Sequence, residues 1–118
     1  MMKIAIATGD GIAVREHFGS AAQFQIWQLE RGEMRLIETR RNAPACGAGW
    51  NPGSADPMQR SVDLIADCRA VVVARLGECA INRLAERDIL AFETDDPVEV
   101  VLRELVAEEA VLAGTARP

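Results

Sequence analysis

The single histidine of the chain, His17, sits in the run Arg15-Glu16-His17-Phe18-Gly19-Ser20-Ala21, just after a short apolar stretch at 3–7. Imidazole is the commonest protein metal ligand. The end of the first strand of an α/β sheet is also where ligands tend to be held. Two thiols could join it. Cys46 lies among glycines and prolines at 42–55, and Cys79 follows Arg75-Leu76-Gly77-Glu78 at a helix start. A helix N-terminus favours thiolate, the form that binds metal. One imidazole and two thiolates suit a soft metal or an iron–sulfur species. The plainer reading is a histidine that orders a turn, since no C-x-x-C or paired-histidine spacing ties the three together. Cys68, next to an apolar run, reads as a small core residue.

Glycines add an anion site to the same edge. Gly9, Asp10 and Gly11 follow the first apolar stretch, and Gly77 precedes a helix. Backbone N–H groups exposed there would face one crevice. Taken singly, each glycine reads as a tight turn. The chain has neither a G-x-G-x-x-G nor a Walker motif, so a nucleotide is not indicated. A two-metal nuclease needs several carboxylates. Asp10 ends the first strand, but Ala74 and Arg75 stand where the fourth strand ends. A thiol enzyme would have to pair His17 with Cys46 or Cys79 and has no defined third member.

The elements that must position these groups follow from pattern. The 118 residues, 49% of them hydrophobic, make one domain at 1–113 with a frayed tail at 114–118. Residues 3–7 read as a buried strand, and 23–29 and 34–40 as a hairpin around Gly32. Phe24 and Ile26 on one side, and Trp27 and Leu29 on the other, call for helices on both faces. Asp56 and Asp96, each followed by proline, read as N-caps of two helices. Met58, Val62, Ile65 and Ala66 form the apolar stripe of the first. Val98, Val101, Leu102, Leu105 and Val106 form that of the last. Between them come a β-branched strand at 70–74, a helix at 79–87 with Ile81, Leu84 and Ala85 inward, and a short strand at 89–92. The expectation is an α/β fold: an RNase H-like mixed sheet of about five strands with three helices. The stretch at 42–55 fits no element and reads as a functional loop.

Charge narrows the partners. With 13 basic and 18 acidic residues the net charge is −5, which argues against nucleic acid. Lys3 is the only lysine, so the cations are arginine forks suited to carboxylates and other oxyanions. No apolar run reaches the ~20 residues of a membrane span. The N-terminal apolar stretch is too short for a signal peptide. A cytoplasmic setting with reduced cysteines is expected.

Several of these segments, in order, resemble a known family. They are Lys3–Ala7, His17–Ala21, Phe24–Ile26, Asp67–Val73, Leu76–Glu78, Leu84 and Ile89–Thr94. The chain is similar across 3–106 to the dinitrogenase iron–molybdenum cofactor biosynthesis proteins, the NifX-like group. That group includes the C-terminal domain of NifB and the core of NafY. The resemblance implies an RNase H-like fold without nuclease activity. It implies a non-enzymatic carrier that binds iron–molybdenum cofactor or its iron–sulfur precursor as transient cargo. His17 matches the family histidine implicated in cofactor binding, and Phe18, Gly19 and Ser20 accompany it. The family pattern has Gly-x-Gly after the fourth strand. Here Arg75 replaces the first glycine, which removes a close backbone approach and offers a guanidinium to an anionic cluster or its organic acid. Expected partners are nitrogenase cofactor-assembly proteins or apo-dinitrogenase, with the chain a monomer or weak homodimer. The alternative is a metal-free interaction module that chaperones an apo-metalloenzyme.

Overall fold

Four successive residues without a polar side chain, Ala70–Val73, are buried on both sides, as a central parallel strand requires. They form β4. In this computed structural model, which describes residues 2–9, 12–14, 16–18, 21–42 and 57–114, the elements in chain order are β1 (Met2–Ala7), β2 (Gln23–Glu30), β3 (Glu33–Arg41), α1 (Pro57–Leu64), β4, α2 (Glu78–Glu86), β5 (Leu90–Glu93), α3 (Val98–Ala107) and α4 (Glu109–Gly114). The sheet order is β3-β2-β1-β4-β5. β2 runs antiparallel to β1 and β3, whereas β4 pairs parallel with β1 and β5. The expected mixed five-stranded sheet is therefore present. Instead of one last helix there are two, because α3 stops at Glu108 and a short α4 returns Leu112 to the core. α4 runs through Gly114, and 115–118 lie outside the described residues.

Strand alternation sends side chains to opposite faces, and each face has its own helices. Ala5, Ala7, Phe24, Ile26, Val71 and Val73 pack with Val62, Ala80 and Leu84 of α1 and α2. Ile4, Ile6, Leu29, Ala70 and Val72 pack with Val98, Val101, Leu105 and Leu112 of α3 and α4. The two-sided apolar pattern of β2 thus reflects a sheet sandwiched between helical layers.

Three local expectations differ from the structure. Ile81 and Ala85 face outward on α2, and Ala80 and Leu84 face the sheet. The sequence stripe at 80, 81, 84 and 85 is wider than the contact, and the small Ala80 lets that side of the helix sit close. Ala66 is exposed because α1 ends at Leu64, and Ser61 takes a buried place instead. Asp96 does not cap α3. Pro97 is the N-cap and makes no side-chain cap bond. The Val98 N–H donates to the Ile12 carbonyl at 2.8 Å, so a backbone group of the β1–β2 connection satisfies the helix end. Asp56 lies outside the described residues.

The hairpin turn has Arg31 at φ 52° and Gly32 at φ 77°, joining the paired Glu30 and Glu33. Positive φ at both central residues is the geometry that matches strand twist, and glycine adopts it without strain. The Glu109 carboxylate of α4 accepts from the N–H groups of Arg31 and Gly32 at 2.9 and 2.6 Å, pinning the turn. Among the described residues, no helix is long and apolar enough to cross a membrane.

Candidate functional site

The β1–β2 connection folds back over the C-terminal ends of the parallel strands. Buried Thr8 donates its hydroxyl to the Ala13 carbonyl at 2.7 Å. Ala13 then bridges Pro97, and Val14 N–H donates to the Asp96 carbonyl at 3.1 Å. The next described segment, 16–18, continues the sheet alongside the end of β4. Ala74 N–H donates to the Glu16 carbonyl at 2.9 Å, and Phe18 N–H to the Arg75 carbonyl at 3.1 Å. These bonds set His17 beside Arg75 in a parallel bridge. Alternation does the rest. Phe18 is buried, with its ring centroid 5.7 Å from that of Phe24, while His17 points outward and is exposed.

His17 lines an open hollow of about 590 Å³ with Ala74, Arg75, Glu93, Thr94 and Asp95. The site lies where β4 and β5 end, the edge at which parallel sheets hold ligands. Its groups are of mixed charge. An imidazole offers a ring nitrogen, a guanidinium offers a forked donor, and two carboxylates flank them. Glu93 also accepts the Leu76 N–H at 2.7 Å, so its side chain ties the end of β5 to the loop that enters α2. Sequence reading did not place Glu93, Thr94 or Asp95 in the site. The available signal was their position just after the last strand, at the edge already chosen for the ends of the other parallel strands.

The remaining nominees divide. Gly9 is described, but a Cβ there would stand 3.3 Å from Glu16 Oε1, so the glycine makes room for that side chain. Asp10, Gly11, Gly19, Ser20 and Cys46 lie outside the described residues. Cys79 is exposed in the first turn of α2 and is not among the residues lining the hollow. Cys68 is buried, and its thiol is pushed up to about 12, chiefly by burial and then by the Asp67 charge. That fits the core role read for it. Among the described residues, no group of three or more His, Cys, Asp or Glu could hold a metal ion.

Gly77 is the N-cap of α2 at φ −76°, ψ 159°, with no side-chain cap bond and nothing within 4 Å of a Cβ built on it. Neither backbone strain nor crowding requires glycine here. Gly77→Ser is expected to raise stability by about 0.3 kcal/mol by capping α2. A urea midpoint lower than wild type would contradict this.

The family described as "Dinitrogenase iron-molybdenum cofactor" matches residues 1–108. The chain is 30% identical over 110 residues to the "FeMo cofactor biosynthesis protein NifB" of Sinorhizobium fredii, covering 92% of this chain and 22% of that protein. It is 29% identical over 84 residues to "Protein NifX" of Azotobacter vinelandii, covering 71% of this chain and 51% of that one. It thus spans about a fifth of the NifB relative and about half of NifX. The crystal structure of PH0822 superposes with a TM-score of 0.67 at 18% identity, covering 90% of this chain and 91% of that one, and so shares the fold. The family match over residues 1–108, which take in all five strands, settles kinship: the chain belongs to the dinitrogenase iron–molybdenum cofactor family.

Proposed function

We propose that this chain is a non-enzymatic carrier in iron–molybdenum cofactor biosynthesis, taking the cofactor or its iron–sulfur precursor as cargo and passing it on. The observation that carries this reading is the exposed His17 imidazole held beside Arg75 over an open hollow at the strand ends. An anionic cluster would meet one nitrogen ligand and one guanidinium there. A single imidazole anchors a metal vertex without enclosing it, which suits a carrier that must release what it holds. Cys46 and Cys79 are the thiolates that would add ligation, and Gly9–Gly11, Gly19, Ser20 and Gly77 the contacts around it. Phe18, expected among them, is buried in the core and holds the segment from below instead of touching cargo. The relatives named NifB and NifX support cofactor assembly as the setting. Assembly proteins and apo-dinitrogenase are the partners we infer, with a cytoplasmic monomer or weak homodimer doing the carrying.

The test is anaerobic addition of iron–sulfur precursor to wild type, His17→Ala and Gly77→Ser, with bound iron and the absorption spectrum as readouts. His17→Ala is expected to retain its fold, because the ring is exposed, and to lose most of the bound iron. Equal uptake and equal spectra in His17→Ala and wild type would remove His17 as the ligand. Reduced uptake by the stable Gly77→Ser would assign that glycine to close backbone approach. Association of the iron-free protein with apo-dinitrogenase, without any iron uptake, would favour the metal-free interaction module instead.

A further inference from the structure

We propose that a second depression, between β5 and the corner of α3 and α4, docks a basic amphipathic segment of a partner protein. Its volume is about 420 Å³. Its floor is apolar and includes Val72, Phe92 and Leu105. Register explains why the floor is open. Phe92 pairs with Val72 and shares its face of the sheet, but β5 is an edge strand, and while Leu90 packs against the α3–α4 layer, Phe92 is left open. Phe92 is therefore 42% exposed, whereas Leu90 and Ala91 of the same strand are half-buried. A large ring left open over an apolar floor marks an interaction surface.

The rim decides what kind of partner fits. Asp96, Glu104 and Glu108 line the groove together with Glu93. Among the described residues none of these four carboxylates is in an ion pair. The only cation on the exposed part of α3, Arg103, is paired with Glu99. Like charges around an apolar hollow repel one another, and arginine or lysine relieves that repulsion while its stem lies on the apolar floor. An anionic lipid surface or a nucleic acid would meet the same rim with the wrong sign. Glu93 and Thr94 line both this groove and the His17 hollow, so an occupant would sit beside that hollow. Docking itself needs no cargo.

The full chain, free of cargo, is titrated into a fluorescein-labelled peptide of alternating leucine and arginine, with anisotropy as the readout. Saturable binding is expected, and replacing the arginines by glutamates should abolish it. Both Glu104 and Glu108 are exposed, so Glu104→Lys with Glu108→Lys should fold and bind the peptide about tenfold more weakly. Phe92→Ala should weaken it as well. Glu104→Gln with Glu108→Gln is the milder pair should the reversal perturb the helix. The same reversal at exposed Glu33 and Glu86, neither of which lines the groove, should leave binding unchanged. Three results would overturn the proposal. One is equal binding by the Glu104 and Glu108 variants. Another is an equal loss on reversal at Glu33 and Glu86, which would mean attraction to net charge alone. The third is self-association of the chain that the groove variants abolish, which would assign the groove to a second copy, whose β3 exposes Arg35, Leu36, Ile37 and Arg41.

Discussion

Phe18→Ala should cost about 3–5 kcal/mol of folding stability, the range for truncating a fully buried phenylalanine. The side chain is 1% exposed and tilted against Phe24 at an interplanar angle of 47°. Both rings belong to the core under α1 and α2. Truncation leaves a cavity that a packed interior cannot close, and a domain of this size has only about 5–15 kcal/mol in total. The loss should also reach the site. Phe18 is the side-chain anchor of a segment otherwise held by the bonds of Ala74 to Glu16 and Phe18 to Arg75, and those bonds place His17. His17→Ala is the matched control, since its exposed ring should leave stability within about 0.5 kcal/mol of wild type. Urea denaturation of the two variants measures both. A cost below about 1 kcal/mol for Phe18→Ala would show that the segment is not fastened through this ring.

A strong acid-side dependence of stability is expected from Asp67, which ties three elements together. Its carboxylate accepts from Arg40 at 2.7 and 2.9 Å on β3 and from Lys3 at 3.0 Å on β1. Arg40 also donates to the Leu64 carbonyl at the end of α1 and to Glu38. The Arg40 guanidinium, helped by Lys3, holds the Asp67 carboxyl well below its ordinary 3.8. A depressed folded-state value means the carboxylate's contribution is complete above the unfolded value and is lost as pH falls below it. Wild type should therefore weaken steeply from about pH 4 downward. Asp67→Asn should cost about 1–2 kcal/mol at neutral pH, a figure discounted because the carboxylate is 46% exposed while its Arg40 partner is 17% exposed. The variant should also show a flatter acid limb. Urea midpoints at neutral pH and near pH 3 measure the difference. Parallel curves for wild type and Asp67→Asn would deny Asp67 this role.

Much of the architecture was legible before any coordinates. Alternation in β2 and the stripe of α3 encode burial through a repeating period, and the uninterrupted Val71–Val73 run through apolar side chains on both faces, none of which requires knowledge of distant neighbours. The hairpin was readable because Gly32 marks a turn whose backbone angles few residues adopt. The inward face of α2 was not, since four apolar positions compete there and only packing against the sheet selects Ala80 and Leu84. The cap of α3 was misread for a similar reason. Asp96 has the right chemistry, yet the carbonyl of Ile12, about eighty residues earlier, reaches the helix end first.

The site divides in the same way. His17 could be nominated from residue type and from its place after a strand, and Arg75 from the family resemblance, where it stands in place of a glycine. Glu93, Thr94 and Asp95 were not named although their place at the end of the last parallel strand pointed to the same edge; which of them share the hollow depends on the register of β5 beside β4 and on Glu93 reaching the Leu76 N–H. Local periodicity and residue chemistry thus determined the strands, the main helices, the two-sided core and the histidine worth testing. Which helix face turns inward, what closes each helix end, and which charges share the hollow with His17 were decided by contacts between segments far apart in the chain. Those contacts form only when the sheet is assembled, and no short window of sequence contains both partners.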